Sequence, residues 1–178
     1  YRPFWRKMNK LIGNFIQTNT RVLDLGCGDG SLLAFLKRNN QVKGLGLEID
    51  HQKIQDCLQK DVSVIDQDID SGLSNFQDQS FDTVIMSQSI QALRKPEVAL
   101  EEITRIGKEA IISIPNFANW RCRMQLIFGG TMPVSSALPH DWYSTPNIHL
   151  CSLKDLERLC ADHGCLLYTS DAADEVAG

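Results

Sequence analysis

The sequence predicts an α/β fold, a mostly parallel sheet with helices on both faces. Three observations carry that prediction. Short apolar runs of strand length alternate with segments whose apolar residues recur at helical spacing, the pattern of strand–helix–strand units with right-handed crossovers. The first such run, residues 22–25, drives into three alternating glycines, Gly26, Gly28 and Gly30, and an amphipathic segment follows at once. At 178 residues, 43% hydrophobic and 22% charged, the chain suits one globular domain with a sizeable core.

Taken in order, residues 8–17 put Met8, Leu11, Ile12, Phe15 and Ile16 on one helical face, closed by Asn19 and Thr20. The first strand covers 22–25. The helix after Gly30 carries Leu32, Leu33, Phe35 and Leu36, and ends in Lys37-Arg38-Asn39-Asn40, cations and then Asn, which suits a helix C-terminus. A second strand over 42–50 ends in the acids Glu48 and Asp50. A helix over 51–60 is expected to turn Ile54 and Leu58 inward, and a third strand covers 62–66. The fourth strand, 81–87, is continuously apolar at its centre and so reads as buried on both faces. Pro96 opens a helix at its favoured first-turn position, with Val98, Ala99, Ile103 and Ile106 apolar, and a fifth strand covers 110–114.

After Pro115 the period breaks. Residues 120–128 keep a helical pattern in Met124, Leu126 and Ile127. Residues 129–150 have none, with Pro133, Pro139 and Pro146 spread through them. So long an irregular stretch reads as a lid or binding loop. Its Met132, Val134, Leu138, Trp142, Tyr143 and Ile148 are expected to be buried. Ser152 caps a last helix over 152–163, with Asp155 in the capping-box position and Gly164 as its stop.

The net charge of −4 gives no sign of a nucleic-acid or membrane-surface binder, and no apolar run is long enough to span a bilayer. The N-terminal Tyr1-Arg2-Pro3-Phe4-Trp5-Arg6-Lys7 lacks the apolar stretch of a signal peptide, and Tyr1 in place of Met reads as a start lying upstream. Six cysteines, Cys27, Cys57, Cys122, Cys151, Cys160 and Cys165, show no C-x-x-C pairing and read as free thiols in a reducing cytoplasm. His140, His149, Cys151 and Cys160 match no common zinc spacing, and Asp66 and Asp70 read as turn residues, so no metal is expected.

The glycine turn is the chemical centre. Residues without Cβ allow left-handed backbone and let a ligand lie against the main chain, while the helix behind presents free N–H groups. Its spacing, Asp24-x-Gly26-x-Gly28-x-Gly30, departs from the dinucleotide fingerprint, which needs Gly or Ala where Ser31 stands, and no Gly-Lys-Ser/Thr follows to make a P-loop. It resembles motif I of class I S-adenosylmethionine-dependent methyltransferases, which implies a Rossmann-like fold and that cofactor. Glu48, at the end of the second strand, is placed to accept both hydroxyls of an adenosine ribose. By the same resemblance Asp68 takes the adenine amino group, with Ile69 beside the ring, and Ile49 and Ser87 are also counted as cofactor-binding. The approach to that strand, Asp78, Ser80, Phe81, Asp82 and Val84, also matches. Cys27 reads as small filler in the turn, and Asp24 either caps its own turn or meets the cofactor's amino group.

A narrower resemblance rests on Arg21-Val-Leu-Asp-Leu-Gly-Cys-Gly-Asp-Gly30, Gly46-Leu-Glu-Ile-Asp50, Ser87-Gln-Ser-Ile-Gln-Ala92, Ser113-Ile-Pro-Asn-Phe117, Met132-Pro-Val134, Leu138-Pro139 and Trp142-Tyr-Ser-Thr-Pro-Asn-Ile-His149. From residue 10 to about 164 the chain resembles the MetW family of bacterial methionine biosynthesis. That resemblance implies a methyltransferase fold and a partnership with homoserine O-acyltransferase (MetX). The chain is not that acyltransferase, since it has no G-x-S-x-G nucleophile elbow. An active methyltransferase with a small acceptor is the alternative, and a NAD-dependent oxidoreductase a second one. On the acceptor or partner side stand Gln88, Gln91, Asn116, Tyr143, Asn147 and His149; no residue is assigned as catalytic. Residues 165–178 resemble the translation of a sequencing adapter, so the domain is read as 1–164 with a foreign tail and truncated final strands. The other reading makes 166–169 a sixth strand.

Overall fold

The computed structural model describes residues 2–135 and 138–165, with side chains from Trp5 onward. The stretch read as a sixth strand or foreign tail, from residue 166 on, lies outside the described residues. In chain order the elements are α1 (Arg2–Phe15), β1 (Arg21–Leu25), α2 (Ser31–Asn40), β2 (Lys43–Glu48), α3 (His51–Gln59) and β3 (Ser63–Asp66). They continue as β4 (Phe81–Ser87), α4 (Pro96–Ile106), β5 (Gly107–Ser113), α5 (Trp120–Met124) and α6 (Leu153–Asp162). Single 3-10 turns lie at Ile69–Ser71 and Ile90–Ala92, and a π turn at Gln125–Gly129 prolongs α5.

The five described strands are all parallel, in the order β3-β2-β1-β4-β5. Strand order reverses between β1 and β4, and open parallel sheets bind ligands at such a switch point, beyond the carboxyl ends of the strands. Alternation along each strand sorts side chains to two cores. On one face Val22 and Ile85 pack with Met8 and Ile12 of α1, Leu33 and Leu36 of α2 and Cys57 of α3. On the other, Leu23, Leu25, Leu47, Val84 and Met86 pack with Leu100 and Ile103 of α4 and Leu156 of α6. Helices therefore cover both faces, as the sequence predicts.

Several local expectations change. Of the expected face, Met8 and Ile12 of α1 and Ile16 just past its end are buried, at i, i+4 spacing, while Leu11 is half-buried and Phe15 exposed. Asn40 seals the end of that helix by donating to Gly13 O and Ile16 O at 3.0 and 2.8 Å. The residue that leaves α2 in left-handed backbone is Gln41, not Asn40. On α3 the inward residue is Cys57, and Leu58 is 56% exposed. β5 begins three residues earlier than its apolar run, because Gly107 pairs with Phe81 at the foot of β4.

The long irregular segment also departs from expectation. Leu138 is buried, whereas Met132, Val134, Trp142, Tyr143 and Ile148 are exposed. The last helix has its full capping box: Ser152 Oγ accepts from Asp155 N, and Asp155 Oδ2 accepts from Ser152 N. No helix among the described residues is long and apolar enough to cross a membrane.

Gly46, in the middle of β2, lies under the site. A Cβ there would be driven into the Cys27 sulfur and lie 2.9 Å from Cys27 Cβ. Gly46→Ala is expected to lower stability by about 1–3 kcal/mol, the usual cost of overpacking, read as a fall in denaturation midpoint. An unchanged midpoint would show that turn and strand are not in contact in solution.

Candidate functional site

The turn after β1 is built from backbone that only glycine accepts easily. Gly26, Gly28 and Gly30 have φ of +74°, +58° and +72°. Their surroundings differ. A Cβ on Gly26 would meet Ser89 Cβ at 3.0 Å, and one on Gly30 would meet Cys57 Sγ at 2.8 Å, so those two glycines are packed against the molecule itself. In front of Gly28 nothing lies within 4 Å of a Cβ position. The open face of the cradle is therefore at Gly28.

The cradle is tied down from three sides. Gly26 N and Cys27 N both donate to Leu47 O at 2.9 Å, holding the turn to β2. Ser89 Oγ donates to Leu25 O at 2.9 Å, holding it to the loop after β4. Cys57 Sγ donates to Gly28 O at 3.2 Å and lies 3.9 Å from Cys27 Sγ. Asp29 accepts from Ser31 N and Ser31 Oγ and pairs with Lys60 at 2.6 Å, which joins the start of α2 to the end of α3. Burial, and then the Asp24 charge, push the Cys27 thiol up, so it is a packing residue and a poor nucleophile. Asp29, Cys57 and Ser89 thus join the cradle without being among the residues the sequence motif assigns to it. Asp29, at a helix entry, carried a capping signal; the other two carried none.

Glu48 is 8% exposed and accepts three backbone N–H groups. Oε2 takes Gly28 N at 2.9 Å, and Oε1 takes Ile49 N and Asp50 N at 3.0 and 3.1 Å. Accepting both hydroxyls of a ribose, as the motif predicts, would need the whole carboxylate. With three of about four acceptor positions already used, it can take one further donor without releasing the backbone.

Asp24 is 2% exposed, and its Oδ1 has no hydrogen-bond partner among the described residues. It does not cap its own turn. Burial, and then the Glu48 charge, push its carboxyl up to about 7. Asp68 caps the 3-10 turn by accepting Asp70 N at 2.9 Å, Ile69 packs half-buried on the core, and Ile49 is exposed. Ser87 Oγ meets Ser113 Oγ at 3.0 Å across the ends of β4 and β5.

The acceptor-side candidates divide. Four are brought together around Gln91, which is 3% exposed. Its Nε2 donates to Gln88 O at 2.7 Å and Asn147 Oδ1 at 3.2 Å, and its O accepts Ile148 N and His149 N. Both amide hydrogens being used, the orientation of the side chain is fixed, and its buried Oε1 has no partner among the described residues. Gln88 holds left-handed backbone at φ +58°. The other two are not in this group: Asn116 accepts Ala118 N within its own turn, and Tyr143 is exposed with its hydroxyl on Asp141. Among the described residues no three His, Cys, Asp or Glu side chains are grouped to hold a metal ion.

The raised Asp24 carboxyl has a consequence for stability. Folded Asp24 keeps its proton to about pH 7, whereas in the unfolded chain it loses it near pH 4. That contribution is full below pH 4 and lost as pH rises through 7. Asp24→Asn, uncharged and of the same shape, is expected to gain stability relative to the parent as pH goes from 4 to 8. Thermal melts of both proteins across that range test it; a difference independent of pH would mean the carboxyl is not raised.

Comparison with known proteins adds the relationship. Solved structures of S-adenosylmethionine-dependent methyltransferases share the fold. One from Thermotoga maritima, described as a possible histamine N-methyltransferase, is 21% identical with a TM-score of 0.66, covering 90% of this chain and 70% of that one. One from Archaeoglobus fulgidus is 18% identical with a TM-score of 0.67, covering 88% and 68%. A bifunctional methionine biosynthesis protein MetXA/MetW from Rhodopirellula baltica is 33% identical over 153 residues, 81% of this chain. The chain spans a quarter of that relative's length, 25%. The sequence model of the methionine biosynthesis protein MetW matches residues 6–177. On a class I methyltransferase fold, this chain belongs to the MetW family.

Proposed function

We propose that the protein binds S-adenosylmethionine at the carboxyl edge of β1 and β2 and acts with homoserine O-acyltransferase (MetX) in the acylation step of methionine synthesis. One observation carries the cofactor reading: of the three cradle glycines Gly28 faces open space, and on the strand that leads into the turn a buried Asp24 oxygen lacks a donor among the described residues. A ligand with an ammonium group and a diol matches both that acceptor and the remaining capacity of Glu48. In this reading Gly26, Cys27, Gly28 and Gly30 line the methionine end, and Asp24 accepts from its ammonium. Glu48 takes the ribose and Asp68 the adenine amino group, with Ile49 and Ile69 beside the ring and Ser87 at the end of β4. The cofactor, when bound, supplies an activated methyl group; the chain's own residues bind and orient it.

The partner reading is supported by the fused relative, whose name joins MetXA to MetW. A protein that binds a downstream product of methionine synthesis and acts on its acylation step would couple supply to demand. The six free cysteines suit a reducing cytoplasm, where we place it. The second reading, methyl transfer to a small acceptor, draws on the unpartnered Gln91 oxygen beside Gln88, Asn147 and His149.

Two measurements test these readings. Glu48→Gln is expected to weaken S-adenosylmethionine binding roughly 10- to 100-fold, the worth of a hydrogen bond to a charged group; equal affinity by calorimetry removes the site assignment. Adding the protein to the source organism's acyltransferase is expected to change acylation about fivefold or more, the low end of ordinary coupling. An unaltered rate leaves methyl transfer, assayed with a panel of small acids, as the reading to pursue.

A further inference from the structure

The helical run from α5 into the π turn is amphipathic the wrong way round. Its buried residue is Cys122, while Trp120, Met124, Ile127 and Phe128 are exposed, the last two at 71% and 78%. These four recur at i, i+4, i+7 and i+8 and share one side of the run. Apolar side chains gathered on one exposed face mark an interaction surface. Its charge is equally one-sided. From residue 110 to residue 140 the sequence has no Asp or Glu, although the whole chain carries 22 of them, and Arg121 and Arg123 stand within the run. The Arg121 guanidinium lies 5.6 Å from the Trp120 ring centroid. Exposed Trp beside Arg is the composition of interface hot spots.

We infer that this face docks the acyltransferase, through an apolar patch on that enzyme rimmed by acidic residues. The inference rests on the partner reading above and adds the surface. Two observations choose the occupant. In the R. baltica relative the matched part is 25% of a chain whose name includes MetXA, so the two parts share one polypeptide there. Such linkage holds two modules at high effective concentration and favours an interface between them. The uncompensated arginines also oppose a second copy of the same face, since a symmetric pairing would set cation against cation.

The test uses the full chain, the acyltransferase from the same organism, and two double variants, Ile127→Asp with Phe128→Asp, and Arg121→Glu with Arg123→Glu. Binding is measured by sedimentation and calorimetry, alongside melting temperature and S-adenosylmethionine affinity. The first variant is expected to weaken association about 100-fold or more, in the range of lost hot spots, and the second to weaken it and flatten its salt dependence, with melting and cofactor affinity unchanged in both. Association within threefold of the parent in both variants overturns the surface and leaves the partnership standing. A large fall in melting temperature in the apolar variant also overturns it, because the face is then covered by the chain's own residues. So does parental self-association that the variants abolish. Absence of binding by the parent itself removes the partner reading and this inference with it.

Discussion

The Glu48 carboxylate is the contact on which the site depends. It sits almost out of solvent at the end of β2 and accepts three main-chain N–H groups. One of these belongs to Gly28, twenty residues earlier, and two to the entry of α3. A single side chain thus joins the turn after β1 to the start of the next helix. Removing it would leave three main-chain donors without this acceptor, a larger loss than one hydrogen bond. The same charge contributes to holding Asp24 protonated, so the electrostatics of the cradle and its shape have a common origin.

Around that fixed corner the fold leaves a few polar atoms unsatisfied. Among the described residues Asp24 Oδ1 and Gln91 Oε1 both lie buried without partners, one on β1 and the other in the turn after β4. Those strands flank the point where sheet order reverses. Buried acceptors without donors are costly and uncommon in native proteins. Their placement at a switch point supports a ligand that supplies the donors. Gln91 also receives the strap at residues 147–149, so the irregular segment is pinned where the two halves of the sheet diverge.

The helical run of α5 and its π turn, just before that segment, carries a different chemistry. Its exposed Trp, Met, Ile and Phe side chains, with arginines and no acids, resemble neither a core nor an ordinary charged surface. The proposed function would place small-molecule binding on one side of a fold shared with methyltransferases and a partner on this exposed apolar face. Fold alone does not decide between sensing and transfer, since one architecture hosts many functions.

What the sequence determined by itself was local. Three glycines at alternate positions require left-handed backbone, and all three have it, because only a residue without Cβ adopts it freely. Strand and helix periods located every described strand and the helices between them, and Ser152 with Asp155 announced a cap that is present in full. What tertiary structure decided was pairing across the chain. Cys57 rather than Leu58 turns inward because Gly30 leaves room for its sulfur. Glu48 turns back to Gly28, and Gln91 reaches Asn147 fifty-six residues on. Sterics and periodicity act between near neighbours and are written in the order of residues. Hydrogen-bond partners and exposed faces depend on which strands lie side by side, and here the sheet order brings those partners together.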